Sequence, residues 1–420
     1  MRAGSAGSRW WSGDYARWLV ADTLGSAAAG VHMIATPLLA LAVTGDPALA
    51  GVVGAATSAT VVLATLPSGM IADRYPRRPV MVWGALATAA AYGTGVVLYS
   101  AGVLGTLPLV AVAAGGALAA TLSAGATSAA LRQIVPADRL PQAMSVTQGR
   151  DAAISLGAGP AAGALFALLP ILPWLLSAVA QVGKGAASAL LSQALDPGAP
   201  EADPPGRLQW LTAGLRVLLR VRLLGGLAVV AGVLNFAGSG VVLAVILGLR
   251  VDGQSPQVVG LTGTAMGAGA LLGAVISGLC VSRVATGRLL IGGFLVQALA
   301  LGSLPLVTAP AFTLLGLFVA FCAVPSVNAA AIGFVMAITP TRLQGRVGSA
   351  VSMLSLATTP AATLLAGWGV AEFGMRATVG AFAASFAVAI LLAMASRIRS
   401  IPKPEAWERY GERHAGDLQD

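Results

Sequence analysis

The chain has 420 residues, of which 57% are hydrophobic and only 10% charged, with 53 glycines and a formal net charge of +9. That apolar excess is more than a water-soluble core can bury and excludes soluble globular and disordered classes, whereas small residues at this density let membrane-spanning helices approach closely. With two cysteines (Cys280 and Cys322) and two histidines, neither a disulfide framework nor a metal-ligand cluster is indicated. Crossing ~30 Å of hydrocarbon takes about 20 residues of helix. Runs of that length are predicted near 18–43, 48–72, 79–100, 106–130, 142–167 and 171–192, then near 223–248, 257–281, 288–307, 311–336, 346–371 and 376–396. The expected architecture is an all-α integral membrane protein of twelve spans. The first run is too long for a signal-peptide core and is read as a span.

Between the second and third runs lies Gly69-Met-Ile-Ala-Asp73-Arg74-Tyr-Pro-Arg77-Arg78. Each such charge costs several kcal/mol at the bilayer centre, so the chain leaves the membrane there. Of the 25 basic residues, one set of connections holds only Arg250 and Arg376, Arg150 and Lys184 lie inside spans, and all others fall in the opposite set with both termini. Cytoplasmic segments carry the Lys and Arg excess, so both termini are expected inside the cell, in the inner or plasma membrane. Topology explains the net charge without nucleic acid; the basic face meets anionic lipid.

The run from Asp196 to Gly206 is rich in Pro, Gly and acids and reads as a flexible linker. Leu208 to Arg222 then sets Leu211, Leu215, Leu218 and Leu219 against Arg216, Arg220 and Arg222, the pattern of a helix lying on the cytoplasmic lipid surface. The chain thus divides into a six-helix bundle at 1–192, a linker at 193–222, a second bundle at 223–396 and a tail at 397–420. The tail mixes charges with Trp407 and Tyr410 and shows no recognisable chemistry.

The bundles repeat. Shifted by 209 positions, Gly51 meets Gly260, Gly54 meets Gly263, Ser68 meets Ser277, Gly69 meets Gly278 and Arg74 meets Arg283, but Asp73 meets Ser282. A second echo pairs Val135-Pro136 and Arg139-Leu140 with Thr339-Pro340 and Arg342-Leu343. Parallel repeats about an axis along the membrane normal are expected when a substrate site lies between two halves.

With Gly69, Asp73, Arg74, Arg77 and Arg78 in this spacing, the chain resembles the major facilitator superfamily of transporters, with Pro76 where many members have glycine. Val135 to Ala143, Gly214-Leu215-Arg216 and Gly345-Arg346-Val347 are most similar to the bacterial branch of enterobactin exporters and macrolide efflux pumps. The resemblance covers roughly 18–396 and implies the two-bundle major facilitator fold. It also implies transport driven by a proton gradient and a contact from Asp73 to the eleventh span near Gly345 and Arg346. Physically, a carboxylate at a helix end can accept hydrogen bonds from amides at another helix N-terminus. The other reading is that the arginines only enforce topology, which does not call for Asp73.

In the fifth span Gly157, Gly159, Pro160 and Gly163 resemble the core of the antiporter motif of drug exporters, although Ala164 follows where the motif has a paired glycine. A proline kink with close helix crossing is expected, with plain close packing as the other reading. Charges inside spans are functional candidates because isolated ones are expensive. Arg150 sits some 14 Å into its helix, near the midplane, and is read as substrate anchor or proton-coupled charge, with a structural ion pair as the other reading. Asp151 diverges from it by about 100 degrees and is expected to have a different partner. Asp22 is expected near the cytoplasmic mouth, solvated. His32 is either a proton switch or a packed, hydrogen-bonded residue. Lys184 is expected to snorkel toward the inner face. Asn235, Gln297 and Asn328 either line a cavity or bond helix to helix.

No phosphate-cradling Gly-x-x-x-x-Gly-Lys-Ser/Thr loop occurs, so ATP-driven pumping and enzymatic chemistry are not expected. Three functions are consistent with the residues: a monomeric, proton-coupled exporter of a small amphipathic molecule such as an antibiotic, drug or siderophore; an importer of a small polar solute; and a transport-inactive sensor or assembly factor. No cofactor is expected, and the partners are the small-molecule substrate and membrane lipids.

Overall fold

The structure is a computed structural model; it describes residues 13–192, 195–196, 222–307, 309–339, 341–407 and 409–410, and a few side chains in 341–349 and that of Arg222 lie outside the described set. The amphipathic linker read at 208–222 therefore falls almost wholly outside the described residues.

Every described element is helical. In chain order they are α1 (Asp14–Thr44), α2 (Pro47–Arg74), α3 (Arg77–Ser100), α4 (Thr106–Ile134), α5 (Leu140–Leu168), α6 (Leu172–Ala189), α7 (Arg222–Val251), α8 (Pro256–Arg283), α9 (Thr286–Gly302), α10 (Pro310–Ile338), α11 (Thr341–Leu356) and α12 (Thr359–Ala395). Local chemistry sets the breaks. Gly45 closes α1 in the left-handed region at φ 69°, its N–H donating to the Leu41 carbonyl. Asp46 then caps α2 by accepting from the Ala48 N–H at 2.7 Å, with Pro47 at the first helical position, where its missing N–H costs nothing. Two residues, Tyr75 and Pro76, separate α2 from α3. Asp73 and Arg74 are thus the last turn of a helix and Arg77 and Arg78 the first of the next, a tighter arrangement than the loop expected.

Ten stretches among the described residues are long and apolar enough to cross a membrane, and the chain is a multi-pass integral membrane protein. Two differences separate this count from the twelve expected. Helix α6 is only 18 residues long and is not one of the ten, because Gln181 and Lys184 interrupt its apolar run. The last two expected spans, 346–371 and 376–396, merge into one stretch, Ala350–Ala395. The helical path breaks at Gly374, whose φ 78°, ψ 171° is a conformation essentially reserved for glycine and which lies within the gap expected between those two spans, and also at Ala357–Thr358, where no break was expected.

By contacts the chain divides into two units. The first holds α1 to α6 together with Ser255–Gly263, the opening turns of α8. Its packing runs α2 on α4, α4 on α3, α3 on α6, α6 on α1 and α1 on α5. One buried cluster gathers Tyr15, Trp18, Met81, Leu131, Leu191 and Leu195, and the Trp18 Nε1 donates to the Thr127 carbonyl at 2.9 Å. At the α2–α4 crossing the Gly125 N–H donates to the Ser68 hydroxyl at 3.0 Å, which needs the close approach that glycine gives. Large apolar side chains such as Leu63, Val97, Leu107 and Leu168 point outward at 66–79% exposure. Contiguous apolar surface of this kind is a liability in water and ordinary against acyl chains.

The second unit holds α7, the rest of α8 and α9 to the C-terminus. Helix α7 packs along α12, with Gly240 beneath the Phe382 ring and Gly248 beneath Met375. The tail, for which the sequence offered no role, folds back on this unit. Ile401 and Pro402 accept from the Gly287 and Thr286 N–H groups at 3.1 and 3.3 Å. Trp407 stands edge-on to Phe334 with centroids 5.9 Å apart, and its Nε1 donates to Thr286 Oγ1 at 3.0 Å. Trp407→Ala is accordingly expected to destabilise the second unit by about 3 kcal/mol, the lower end for removing a packed tryptophan. Loss of thermal stability in detergent checks this, and an unchanged unfolding temperature would show the tail contributes nothing.

Candidate functional site

The charged residues inside the spans of the first unit converge where α1, α5 and α6 meet. Helix α1 places Asp22, Thr23 and Ser26 within one turn, so that residues 22 and 26 share a face. Arg150 reaches that face from α5. Its Nη1 pairs with Asp22 Oδ2 at 2.7 Å and its Nη2 with Asp151 Oδ1 at 2.6 Å, while Nε donates to the same Asp151 oxygen at 3.1 Å. Thr23 and Ser26 hydroxyls accept from Nη1 and Nη2 at 3.4 Å. The Thr23 proton is spent on the Leu19 carbonyl at 2.6 Å, which turns the oxygen lone pairs toward the guanidinium. All three guanidinium nitrogens are thereby engaged, and Arg150 is only 12% exposed, against 22% for Asp22 and 51% for Asp151.

Two expectations are corrected here. Arg150 and Asp151 are partners although helix neighbours diverge, because the long arginine side chain folds back along the helix and presents its Nε edge to the next carboxylate. Asp22 is an ion-pair partner of Arg150, not a solvated mouth residue. Sequence reasoning singled out neither Thr23 nor Ser26; their spacing from Asp22 was the available signal.

Lys184 does not snorkel outward. It is 7% exposed and lies against Gly25, where an added Cβ would stand 3.2 Å from both Cδ and Nζ. Glycine at 25 makes the space for the lysine. Among the described residues the ammonium has no carboxylate within 4.0 Å; Asp22 still interacts with it electrostatically. Arg150 pairs with both Asp22 and Asp151 while Lys184 interacts only with Asp22, and the four charges together are formally neutral. Lys184 belongs to a stripe that the sequence reading missed: Ser177, Gln181, Lys184 and Ser188, at spacings of four, three and four, are all buried on one face of α6. The Gln181 Oε1 and Ser188 Oγ have no partner among the described residues. Polar residues repeating at helical period inside an apolar run were the signal.

His32 is packed. Its ring stacks on Tyr92 at 4.0 Å and lies 5.5 Å from Trp174, and Nδ1 sits 3.0 Å from Thr36 Oγ1. The Nε2 is buried without a partner among the described residues. Neither Tyr92 nor Trp174 was singled out beforehand as a neighbour of His32. Both rings nest against glycines, Tyr92 on Gly116 and Trp174 on Gly95.

In α5 the helix continues through Pro160. A Cβ on Gly159 would overlap the Gly260 carbonyl oxygen, one on Gly163 the Pro256 carbonyl oxygen, and one on Gly260 the Gly159 carbonyl oxygen. The opening turns of α8 therefore lie backbone to backbone on α5 within this unit. Gly157 faces open space, as does Gly69 in α2, so neither is glycine for reasons of close approach.

The remaining candidates do not join this cluster. Asp73 and Arg74 are exposed and form no ion pair among the described residues, and Arg78 donates to the Ala189 carbonyl. Gly345 and Arg346 lie in α11, but their side chains fall outside the described set, as does the contact expected for Asp73. Asn235 donates to the Ala231 carbonyl of its own helix at 2.9 Å, and Gln297 likewise to Gly293 at 3.3 Å, so neither donor bridges helices. Asn328 is exposed. No group of three or more His, Cys, Asp or Glu among the described residues is arranged to hold a metal.

The family described as transmembrane secretion effector matches residues 14–415. No curated protein matches by sequence. Among solved structures, the chain is similar to the nucleoside transporter NupG, with a TM-score of 0.74, 12% identity, and coverage of 91% of this chain and 99% of that one. A bacterial homologue of the iron transporter ferroportin, inward-facing, aligns at 0.69 with 18% identity over 91% and 98%. A bacterial homolog of the human lysosomal transporter Spinster aligns at 0.68 with 13% identity over 98% of each chain. At these identities the likeness is one of fold.

Proposed function

Since the chain belongs to the transmembrane secretion effector family and is a membrane transporter of the major facilitator type, we propose that it is a secondary active, proton-coupled exporter of a small amphipathic molecule. It works by alternating access in the bacterial inner or plasma membrane, as a monomer without a cofactor, and performs no covalent chemistry. The observation that carries this reading is the intramembrane cluster of Arg150 with Asp22 and Asp151, beside buried Lys184. Charges held in lipid at this cost mark substrate and proton pathways. Protonation of Asp22 would release Arg150 from its charge partner on α1, and a substrate or a returning carboxylate would restore it. The family description supports outward transport, as does the resemblance of Gly159, Pro160 and Gly163 to the antiporter motif of drug exporters, and the enterobactin and macrolide exporters are the branch whose motifs fit.

Everted membrane vesicles given an inward-acid proton gradient test the reading. Candidate amphipathic antibiotics and siderophores are expected to accumulate inside, and collapse of the gradient is expected to release them. Accumulation only in right-side-out vesicles would make the protein an importer, and flux in neither orientation would leave the sensor role. In the same assay Asp73→Asn is expected to cut the transport rate severalfold while membrane insertion stays normal. Wild-type flux in that variant would reduce the Arg74, Arg77 and Arg78 segment to a topology signal.

A further inference from the structure

Of the 25 basic residues, 23 are arginine and two are lysine, Lys184 and Lys403. Lys403 is exposed in the tail, whereas Lys184 is buried on the polar face of α6. The choice of lysine has a chemical consequence there. A guanidinium stays charged inside proteins, while an ammonium can release a proton and an amine can take one. Arg150 therefore cannot carry a proton, and Asp22 and Asp151 are both its ion-pair partners. Lys184 is the one ionisable member of the cluster without an ion pair among the described residues.

Its position aims that freedom at Asp22. Asp22 and Gly25, three residues apart, share a face of α1. Arg150 reaches Asp22 from α5 at 2.7 Å, and Lys184 enters from α6 into the space that Gly25 leaves, so the carboxylate stands between cations on two different helices. Lys184 interacts with Asp22 electrostatically from beyond ion-pair distance, a gap that its four-carbon stem or one water closes to the roughly 3 Å that proton transfer requires. About one turn to either side, Gln181 Oε1 and Ser188 Oγ are buried without partners among the described residues. Ser188 lies in the last turn of α6, so the polar face leads from that helix end to Lys184. The other ionisable groups on the helices packed around α6 are engaged elsewhere. His32 of α1 stacks on Tyr92 of α3, Tyr15 of α1 stacks on Trp18, Asp151 of α5 holds Arg150, and Arg78 of α3 donates to the Ala189 carbonyl.

We propose that Lys184 is the relay through which protons reach Asp22. A proton arriving along the polar face of α6 adds to the neutral amine. An ammonium N–H bond then breaks as the O–H bond forms on the Asp22 carboxylate, the amine is regenerated, and Arg150 loses its charge partner on α1. Transfer in the reverse direction restores the pair of Arg150 with Asp22. The inference rests on the proton-coupled reading above and adds to it the residue that delivers the proton. A lysine that only fills the space beside Gly25 never needs to be neutral; a relay does.

Two measurements on the full-length protein in lipid vesicles, with no substrate present, test the relay. Protein labelled with nitrogen-15 at the lysine Nζ has only two such signals, and loss of one in Lys403→Met assigns the other to Lys184. Solid-state NMR is expected to show the Lys184 signal changing between amine and ammonium from about pH 9 to about pH 6, with Lys403 an ammonium throughout. An ammonium at Lys184 over that whole range would overturn the proposal, and this reading needs no variant at position 184. The second measurement follows a light-triggered acid jump by infrared spectroscopy, reading the C=O band of the protonated Asp22 carboxyl, identified by its absence in Asp22→Asn. Lys184→Met keeps an unbranched chain beside Gly25, and Lys184→Arg keeps the charge but cannot release a proton. Both are expected to slow the appearance of the band at least about tenfold, the low side for losing a positioned acid–base group. A wild-type rate in Lys184→Met would overturn the relay and leave Asp22 as the proton site, and a wild-type rate in Lys184→Arg would reduce Lys184 to a fixed charge. Absence of the band from the wild type would instead remove Asp22 from the proton-coupled reading, and the relay with it.

Discussion

Arg150→Ala is expected to lower the transport rate by at least about tenfold, the equivalent of 1.4 kcal/mol in the transport barrier. The guanidinium occupies two carboxylates and two hydroxyls at once, so truncation strands Asp22, about one-fifth exposed, beside Thr23 and Ser26. Removing one partner of a fully buried pair costs about 3–5 kcal/mol, and the partial exposure of Asp22 places this site toward the lower end. A stability loss alone could lower flux, so two further variants separate the causes. Arg150→Lys keeps the charge but not the planar fork, and is expected to retain stability better than transport. Arg150→Gln combined with Asp22→Asn removes both charges. It is expected to recover much of the thermal stability lost in the single variant without recovering proton-driven flux. The measurements are vesicle uptake and unfolding temperature in the same detergent. Wild-type flux in Arg150→Ala would remove Arg150 from the mechanism.

Gly159→Leu is expected to be the most damaging single change in the first unit. A Cβ at that position already overlaps the Gly260 carbonyl oxygen and lies 2.9 Å from the Gly263 Cα, and carbonyl backbone cannot rotate away as a side chain can. Overpacking by added methylenes typically costs about 1–3 kcal/mol where side chains can adjust, and more is expected where the obstacle is a helix backbone. Gly157→Leu, two residues away and facing open space, is the matched control and is expected to be nearly neutral. The comparison is made by expression level, unfolding temperature and flux. Equal effects at 157 and 159 would mean that the glycines matter for something other than the approach of α8 to α5.

Much of the candidate site was legible before any coordinates. Arg150, Asp22, Asp151 and Lys184 stand out because ionisable residues inside apolar runs are expensive wherever the helices lie. Their partners were not legible. Thr23 and Arg150 are 127 positions apart, and nothing in either run names the other. Lys184 was expected to snorkel because a four-carbon stem can reach an interface; the absence of a side chain at Gly25 offers it a buried slot instead. The antiporter-like motif divided in the same way: composition could not tell Gly159 and Gly163, pressed against backbone, from Gly157, which touches nothing.

The sequence by itself determined the membrane class, the approximate positions of most spans, the charged connection between the second and third spans and the list of costly charges. These follow from hydropathy, backbone restrictions and charge cost, all properties of a residue and its immediate neighbours. Only the tertiary structure decided that Arg150 joins Asp22 to Asp151, that α6 carries a buried polar face, that the helical path also breaks at Ala357–Thr358 and that the tail packs on Phe334. Each of those depends on which helix lies alongside which, and on space left by residues far away in the chain.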